Sequence, residues 1–347
     1  MVGFNRQTYM VKYKLSICIA TYKRGDFIVE TLDSIVKQIN NHVEVVVVDG
    51  ASPDNTLEVM TEYLIRHPNI RYYREKQNSG VDADYDKCIS YAKGEYCWLM
   101  TDDDLMVEGA INQVLEKCNT INELVVVNAL VKNNDFSSIY VDSLLDLTTD
   151  RDYDKSQIFE FYSQCIRYLS FIGGVVIRRD FWLNRDRQSY YGTAFIHVGV
   201  MMQQPLLSRV SVIARPLIVI RYGNSMWKPQ SFNIWMINWP NLIESFNHFP
   251  KKIIQTIAPR DMVSIAKLLL LLRAQGYYGR EQYKKLQTKF KLISYVIAIS
   301  PKRIINALLS ICIYVFMVKA KMSLSDLASS RYASSISKMI AIKLNVI

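Results

Sequence analysis

Short apolar runs of strand length recur through the first 130 residues, and stretches of helical periodicity separate them. The segments 14–20 (KLSICIA), 43–49 (VEVVVVD), 69–75 (NIRYYRE), 95–101 (EYCWLMT) and 123–129 (ELVVVNA) are rich in β-branched and aromatic residues, which suit a pleated and buried surface. Helices are predicted between them over 27–38, 54–66, 82–92 and 109–118. Asp54, Asn55 and Thr56 supply capping side chains ahead of the apolar spacing Leu57, Met60, Leu64. This alternation predicts an α/β protein with a mostly parallel central sheet covered on both faces. Ligands of such sheets bind beyond the carboxyl ends of the strands. Asp49 closes one strand and the triplet Asp102, Asp103, Asp104 closes another, so both are expected at one crevice.

From about residue 135 the rhythm changes. Segments 171–179 (FIGGVVIRR) and 215–223 (RPLIVIRYG) read as strands on either side of 190–204 (YYGTAFIHVGVMMQQ). The expected division is one domain over 1–230, with halves 15–128 and 129–230, followed by a basic helical C-terminal region over 231–347. Within that region residues 304–318 are nearly all apolar and are bracketed by Lys302, Arg303, Lys319 and Lys321. As a helix they span about 22 Å, short of the roughly 30 Å hydrocarbon core of a bilayer. An interfacial helix with its apolar side in lipid fits them better than a span, and a buried helix of a small helical tail is the other reading.

The net charge of +10 is unevenly placed. Residues 251–347 carry 17 Lys+Arg against 3 Asp+Glu, a balance of +14, so the first 250 residues carry 10 − 14 = −4. A basic tail on a mildly acidic body points to an anionic surface. No nucleic-acid-binding pattern accompanies it, and an anionic membrane is the expected partner. The 6 cysteines form no CxxC pair and the 4 histidines are scattered, which argues against a structural zinc site and for reduced thiols. The opening residues lack the apolar core of a signal peptide. The expectation is a cytoplasmic protein, peripheral on the inner face of a membrane.

Two carboxylates about 4 Å apart repel by roughly 4 kcal/mol at an effective dielectric of 20. Adjacent acids become favourable when a divalent cation neutralises them, although a solvated acidic turn produces the same run. The company of the triplet decides between these. In chain order the sequence reads ATYKR (20–24), TLDSIVKQ (31–38), VEVVVVDGASPDNT (43–56), NSG (78–80), AKGEY (92–96) and LMTDDD (99–104). This series resembles the family 2 glycosyltransferases of the GT-A fold.

The resemblance implies that Thr21 and Tyr22 cradle a nucleotide and that Asp49 meets the nucleobase edge. It implies Asp103 as the catalytic metal ligand for Mn²⁺ or Mg²⁺, with Asp102 near the ribose. Thr101 stands in place of the first acid of the family's metal-binding element, which leaves Asp102 or Asp104 to supply the second oxygen. Arg221 resembles a late Tyr-Arg segment whose arginine contacts the diphosphate, and Trp227 and Lys228 follow in a candidate lid. Tyr85 and Asp86 stand where the family often has Arg-Asn. His197 is the titratable residue in the middle of 190–204 and is the candidate general base, a core histidine being the alternative.

Segments 80–87 (GVDADYDK), 98–105 (WLMTDDDL) and 192–198 (GTAFIHV) resemble abequosyltransferase-like enzymes of bacterial O-antigen assembly. That resemblance implies a CDP-3,6-dideoxyhexose donor, UDP and dTDP remaining open, and an oligosaccharide acceptor on a polyprenyl diphosphate. The competing readings are a nucleotidyltransferase and a non-catalytic nucleotide-sugar-binding protein. The first usually needs a glycine-rich loop after the first strand, where this chain reads ATYKRGDF with one glycine. Neither GxGxxG nor the P-loop pattern is present.

Overall fold

The computed structural model describes residues 13–118, 121–316, 321–344 and 346. Its first half follows the predicted alternation: β1 (Leu15–Thr21), α1 (Ile28–Val36), β2 (Val43–Asp49), α2 (Thr56–Arg66), β3 (Ile70–Arg74), α3 (Val81–Tyr91) and β4 (Tyr96–Met100). A two-residue strand β5 (Leu105–Met106), α4 (Ala110–Lys117) and β6 (Leu124–Lys132) come next. The second half adds β7 (Ile139–Val141), β8 (Arg151–Asp154), α5 (Ile158–Cys165), β9 (Val175–Arg178), α6 (Arg179–Leu183), α7 (Ile196–Met202) and β10 (Arg209–Arg221). The sheet runs in the order β3-β2-β1-β4-β9-β6-β10-β5, with β7 beside β6 and β8 beside β10. The strands from β3 to β4 are mutually parallel, as are β6 and β10, while β9 runs antiparallel between β4 and β6.

Alternation along the strands builds a core on each face. On β4, Cys97 and Leu99 pack against α3, α5 and α6. Tyr96, Trp98 and Met100 point the other way, into the layer of α1, α2 and α4. Each large apolar side chain buried in this way contributes roughly 1.5–3 kcal/mol. The expected strand over 171–179 is shorter, because residues 172–174 form a 3₁₀ turn whose Gly173 carbonyl accepts from Trp98 Nε1 at 2.9 Å. The expected strand over 215–223 is longer. Pro216 lacks an N–H for the ladder, and the register shifts around it instead of the strand ending there.

The amino edge of the sheet is pinned by a buried acid. Glu44 accepts from Ser16 Oγ at 2.6 Å, from the Lys93 and Gly94 backbone N–H groups at 2.5 and 3.2 Å, and from Arg71 at 2.7 Å. Gly94 is required by this close approach, not by its dihedral angles. A Cβ there would lie 2.6 Å from Ser16 Oγ and 2.7 Å from Ser16 N.

From Ser231 onward the described chain is helical. The helix Met262–Gln275 starts at Asp261, whose carboxylate accepts from the N–H groups of Val263 and Ser264, and stops at Gly276 with φ 97°. The helix Lys302–Phe316 buries Ile305, Asn306, Ser310 and Ile313 while exposing Ile304, Leu308 and Ile311. The apolar run expected to be an interfacial or a buried helix therefore has one face of each kind, and its last residues lie outside the described ones. No single helix among the described residues is long and apolar enough to cross a membrane. Helices Lys291–Ile299 and Lys302–Tyr314 pass that test only as a pair, bent by 106°.

Gly94→Ala forces the added methyl into the β1 backbone and should cost about 1–3 kcal/mol of stability, read as a lower urea midpoint.

Candidate active site

The parallel register sets the crevice. Thr21 pairs with Asp49, Asp49 with Arg74, and Ile19 with Met100, so the ends of β1, β2, β3 and β4 reach one edge. There the three acids of the triplet part company. Asp104 turns inward, its oxygens accepting from Thr101 Oγ1 at 2.5 Å and from the Arg221 backbone N–H at 2.8 Å. Its own carbonyl accepts from Thr31 Oγ1 at 2.8 Å. Asp102 and Asp103 face Arg24 instead, with Nε 3.5 Å from Asp102 and Nη2 3.2 Å from Asp103. The side chains are 13 % and 13 % exposed, and that of Arg24 is 9 %.

This burial is expensive for anions. It pushes the Asp102 carboxyl up to about 7, the neighbouring Asp103 charge adding to the effect and Arg24 opposing it. Asp103 is raised by burial, with Arg24 drawing it back. Asp104 is raised well above the ordinary carboxylate range, by burial and by the charge of Asp103, with Thr101 and the Arg221 backbone N–H drawing it back.

Arg221 holds the turn from the other half of the sheet. Its Nε donates to the Asp103 carbonyl at 3.0 Å, its Nη1 to the Asn134 carbonyl at 2.7 Å, and its Nη2 pairs with Glu30. The guanidinium carbon lies 5.2 and 4.1 Å from the Phe27 and Phe136 ring centroids. The donors of Arg221 are thus engaged within the protein. The cation that confronts the acids is Arg24, which the sequence reading passed over although it closes the ATYKR segment. Thr21 Oγ1 and the Asn224 amide make no well-shaped hydrogen bond among the described residues, and the acids are their neighbours. Thr21 stands beside Asp102 and Asn224 beside Asp103. Arg24 Nη1 donates to the Asn224 carbonyl at 3.2 Å, which draws the segment after β10 over the acids.

Asp49 is fully buried and accepts from the Ser52 N–H at 2.8 Å and from Tyr72 Oη at 2.6 Å, with Arg74 Nε 3.6 Å away. Tyr22 is partly buried, and Lys23 Nζ lies 5.2 Å from its ring centroid. Trp227 is 48 % exposed and stacks edge-on with Trp235 at 6.3 Å. It lines a separate cavity whose walls do not include the acids.

His197 departs from its expected role. It sits inside α7 at 1 % exposure, with Nε2 bonded to the Leu169 carbonyl at 2.7 Å and no partner for Nδ1 among the described residues. Burial lowers its pKa to about 4. The helix that carries it is capped by Asp82, which accepts from the N–H groups of Ala194 and Ile196 at 2.9 and 3.0 Å. This is a core histidine, and a spacing of residues cannot show which way such a ring points. Asp104 also departs from expectation as a metal ligand, since both its oxygens are engaged by the chain. Among the described residues no group of three or more His, Cys, Asp or Glu side chains converges as a ready-made metal cage.

Residues 16–178 match the family described as Glycosyl transferase family 2. Abequosyltransferase RfbV of Salmonella typhimurium is 26 % identical over 227 residues, which cover 62 % of this chain and 68 % of that protein. Among solved structures, S. aureus TarS 1–349 in complex with UDP gives a TM-score of 0.53 at 15 % identity, covering 96 % of this chain and 91 % of that one. The mannosyltransferase PcManGT from Pyrobaculum calidifontis, in complex with GDP-Man and Mn²⁺, gives 0.51 at 16 %, covering 80 % and 79 %. The likeness to these two is one of fold, and the fold is the expected GT-A fold.

Because the folded His197 ring titrates near 4 and an unfolded histidine near 6.5, the unfolded chain takes up that proton first as pH falls. Stability from this group is present above about pH 6.5 and is lost down to about pH 4. Between pH 7 and 5 the native protein should lose about 2 kcal/mol relative to His197→Gln, the buried acids being common to both, measured by denaturant unfolding of each at both pH values.

Proposed function

Residues 16–178 belong to glycosyltransferase family 2 and the chain is a glycosyltransferase, and from that premise we propose that it moves a sugar from a nucleoside diphosphate donor onto a bacterial surface polysaccharide. The observation that carries the reading is the buried pair Asp102 and Asp103 held against Arg24 at the carboxyl edge of the sheet. The pair fits a divalent cation of the Mg²⁺ or Mn²⁺ type, which takes one or two carboxylates from protein and the rest from phosphate and water. The Thr21 hydroxyl beside Asp102 and the Asn224 amide beside Asp103 add neutral oxygens at the same place, which supports this fit. Asp103 and Asp102, not Asp104, would hold the ion. When bound, it supplies Lewis-acid neutralisation of the leaving diphosphate. Arg24 supplies a second positive charge to the same oxygens. Asp104 and Arg221 fix the turn that presents the two free acids. Asp49, with Tyr72 and Arg74, closes the side where a nucleobase would lie, next to Thr21 and Tyr22.

The likeness to an abequosyltransferase favours CDP-3,6-dideoxyhexose as donor and an oligosaccharide on polyprenyl diphosphate as acceptor. Such an acceptor is anchored in a membrane, and the C-terminal helices suit that surface. Leu292, Val296, Ile304, Leu308 and Ile311 are each 40 % exposed or more on the bent pair of helices. Lys289, Lys291, Lys302 and Arg303 flank them. Apolar side chains at the acyl boundary with cations at anionic headgroups is the arrangement of an interfacial helix.

Offered a panel of CDP-, UDP-, dTDP- and GDP-sugars with Mn²⁺, the protein should release nucleoside diphosphate, and chelator should stop it. Asp103→Asn should lower that rate by about two orders of magnitude, the scale of losing one electrostatic stabiliser, with unchanged melting; full activity in the variant defeats the assignment. Replacing Leu292, Ile304 and Leu308 by Glu should abolish co-sedimentation with phosphatidylglycerol vesicles, and undiminished binding overturns the membrane surface.

A further inference from the structure

The segment after β10 and the C-terminal helices enclose a groove of about 1230 Å³ that the donor chemistry does not use. This volume exceeds the usual range for a small-ligand pocket, roughly 300–1000 Å³, and has room for several sugar rings. One wall carries Trp227, Trp235 and Trp239 in a row, with successive ring centroids 6.3 and 6.2 Å apart. Trp227 is exposed and Trp235 half-buried, so these two indoles offer flat apolar faces with a polar edge, the surface against which a pyranose ring stacks, while Trp239 is buried behind them.

The polar lining is strongly one-signed. Arg167, Lys228, Arg260, Lys267 and Arg331 line the groove, against Asp326 as the acid. Lys228 is spent on Asp326 at 2.9 Å and Arg260 on Glu244 at 2.7 Å. Arg167 and Lys267 have no ion pair among the described residues, although they belong to opposite parts of the molecule: the turn after α5 and the helix Met262–Gln275. Three cations without an ion-pair partner among the described residues, Arg167, Lys267 and Arg331, together with the tryptophans make a lining for a sugar that carries its own negative charge.

The groove shares one segment with the reacting end. Gly223 and Ser225 line it, and Asn224 between them faces Asp103 and gives its carbonyl to Arg24. We infer that this groove is the acceptor site and that it takes a phosphorylated saccharide, with sugar rings on the tryptophans and the phosphate or diphosphate at Arg167 and Lys267. The inference rests on the glycosyltransferase reading above and adds where the acceptor lies and which residues hold its sugar and its phosphate.

Three of the chain's 5 tryptophans line the groove, so intrinsic fluorescence reports its occupation. The probes are farnesyl-diphosphate-linked N-acetylglucosamine, N-acetylglucosamine 1-phosphate and free N-acetylglucosamine. The two phosphorylated probes should quench the native protein and the free sugar should not. A stronger response to the farnesyl probe identifies a lipid-linked acceptor, and an equal response identifies a sugar phosphate chain. In Arg167→Gln/Lys267→Gln, both exposed positions, affinity for the phosphorylated probes should fall about tenfold or more, the loss of two charge-assisted contacts. Binding of CDP and UDP with Mn²⁺ should remain unchanged in that variant. Asp103→Asn should behave oppositely, losing donor turnover and keeping the probes, which separates a failure of the groove from a failure of the donor site. Equal affinity for free and phosphorylated sugar, unaltered affinity in the double variant, or a parallel loss of nucleotide binding each overturns the proposal.

Discussion

Three consecutive carboxylates cannot be buried at a strand end unless something divides them, and in this molecule two arginines do so. Arg221 arrives on a strand 117 residues away and gives its backbone N–H to Asp104, so that acid becomes part of the framework. Its side chain then grips the Asp103 carbonyl and the Asn134 carbonyl. With the turn fixed in this way, Asp102 and Asp103 have a single direction left, toward Arg24. The geometry of the site is therefore a contact between the two halves of the sheet. It depends on β10 running its full length past Pro216 with the shifted register that this proline imposes.

The energetic balance at this pair is poised. Burial raises both carboxyls, the charge of Asp103 raises Asp102 further, and Arg24 lowers both again. An arginine keeps its charge at any ordinary pH and presents a planar fork of donors, so it can hold acids apart or turn to a phosphate without changing protonation. The Thr21 hydroxyl and the Asn224 amide stand beside the two acids without well-shaped hydrogen bonds of their own. Buried polar groups that are only loosely satisfied gain from a ligand that completes their contacts. At the opposite edge, Glu44 spends its hydrogen-bonding capacity on the β1–β4 junction and leaves nothing for a ligand. One end of the sheet is closed by its acid and the other is left open by its acids.

The strands of the first half were legible because their apolar runs are long and their separators strongly helical. Alternation then assigned the carboxyl edge, and the acids followed. Less visible were features set by contacts distant in sequence. The strand β9 is short because two glycines before it turn to meet Trp98, and β5 is a two-residue addition defined by its partner. His197 reads as a base because it stands alone among apolar residues, yet the same isolation is what a buried ring looks like. Arg24 is hard to read from sequence because a Lys-Arg pair after a strand resembles a solvated end. Only the fold shows that Lys23 leaves while Arg24 turns under the acids. Asp104 is drawn into the framework for a similar reason, since the backbone N–H that captures it belongs to β10. Trp227, expected in a lid over the donor, lines the groove and not the crevice of the acids.

Five of the six cysteines are buried, at Cys18, Cys88, Cys97, Cys118 and Cys165, and one, Cys312, is exposed on the helix Lys302–Phe316. Thiol chemistry is governed by access and thiolate character, and burial raises Cys18, Cys88, Cys118 and Cys165 away from reactivity. The native chain thus carries one addressable sulfur on the same helix as Ile304, Leu308 and Ile311. A maleimide dye or spin label coupled there without any engineering would sit beside those side chains and sense whether they meet water or acyl chains.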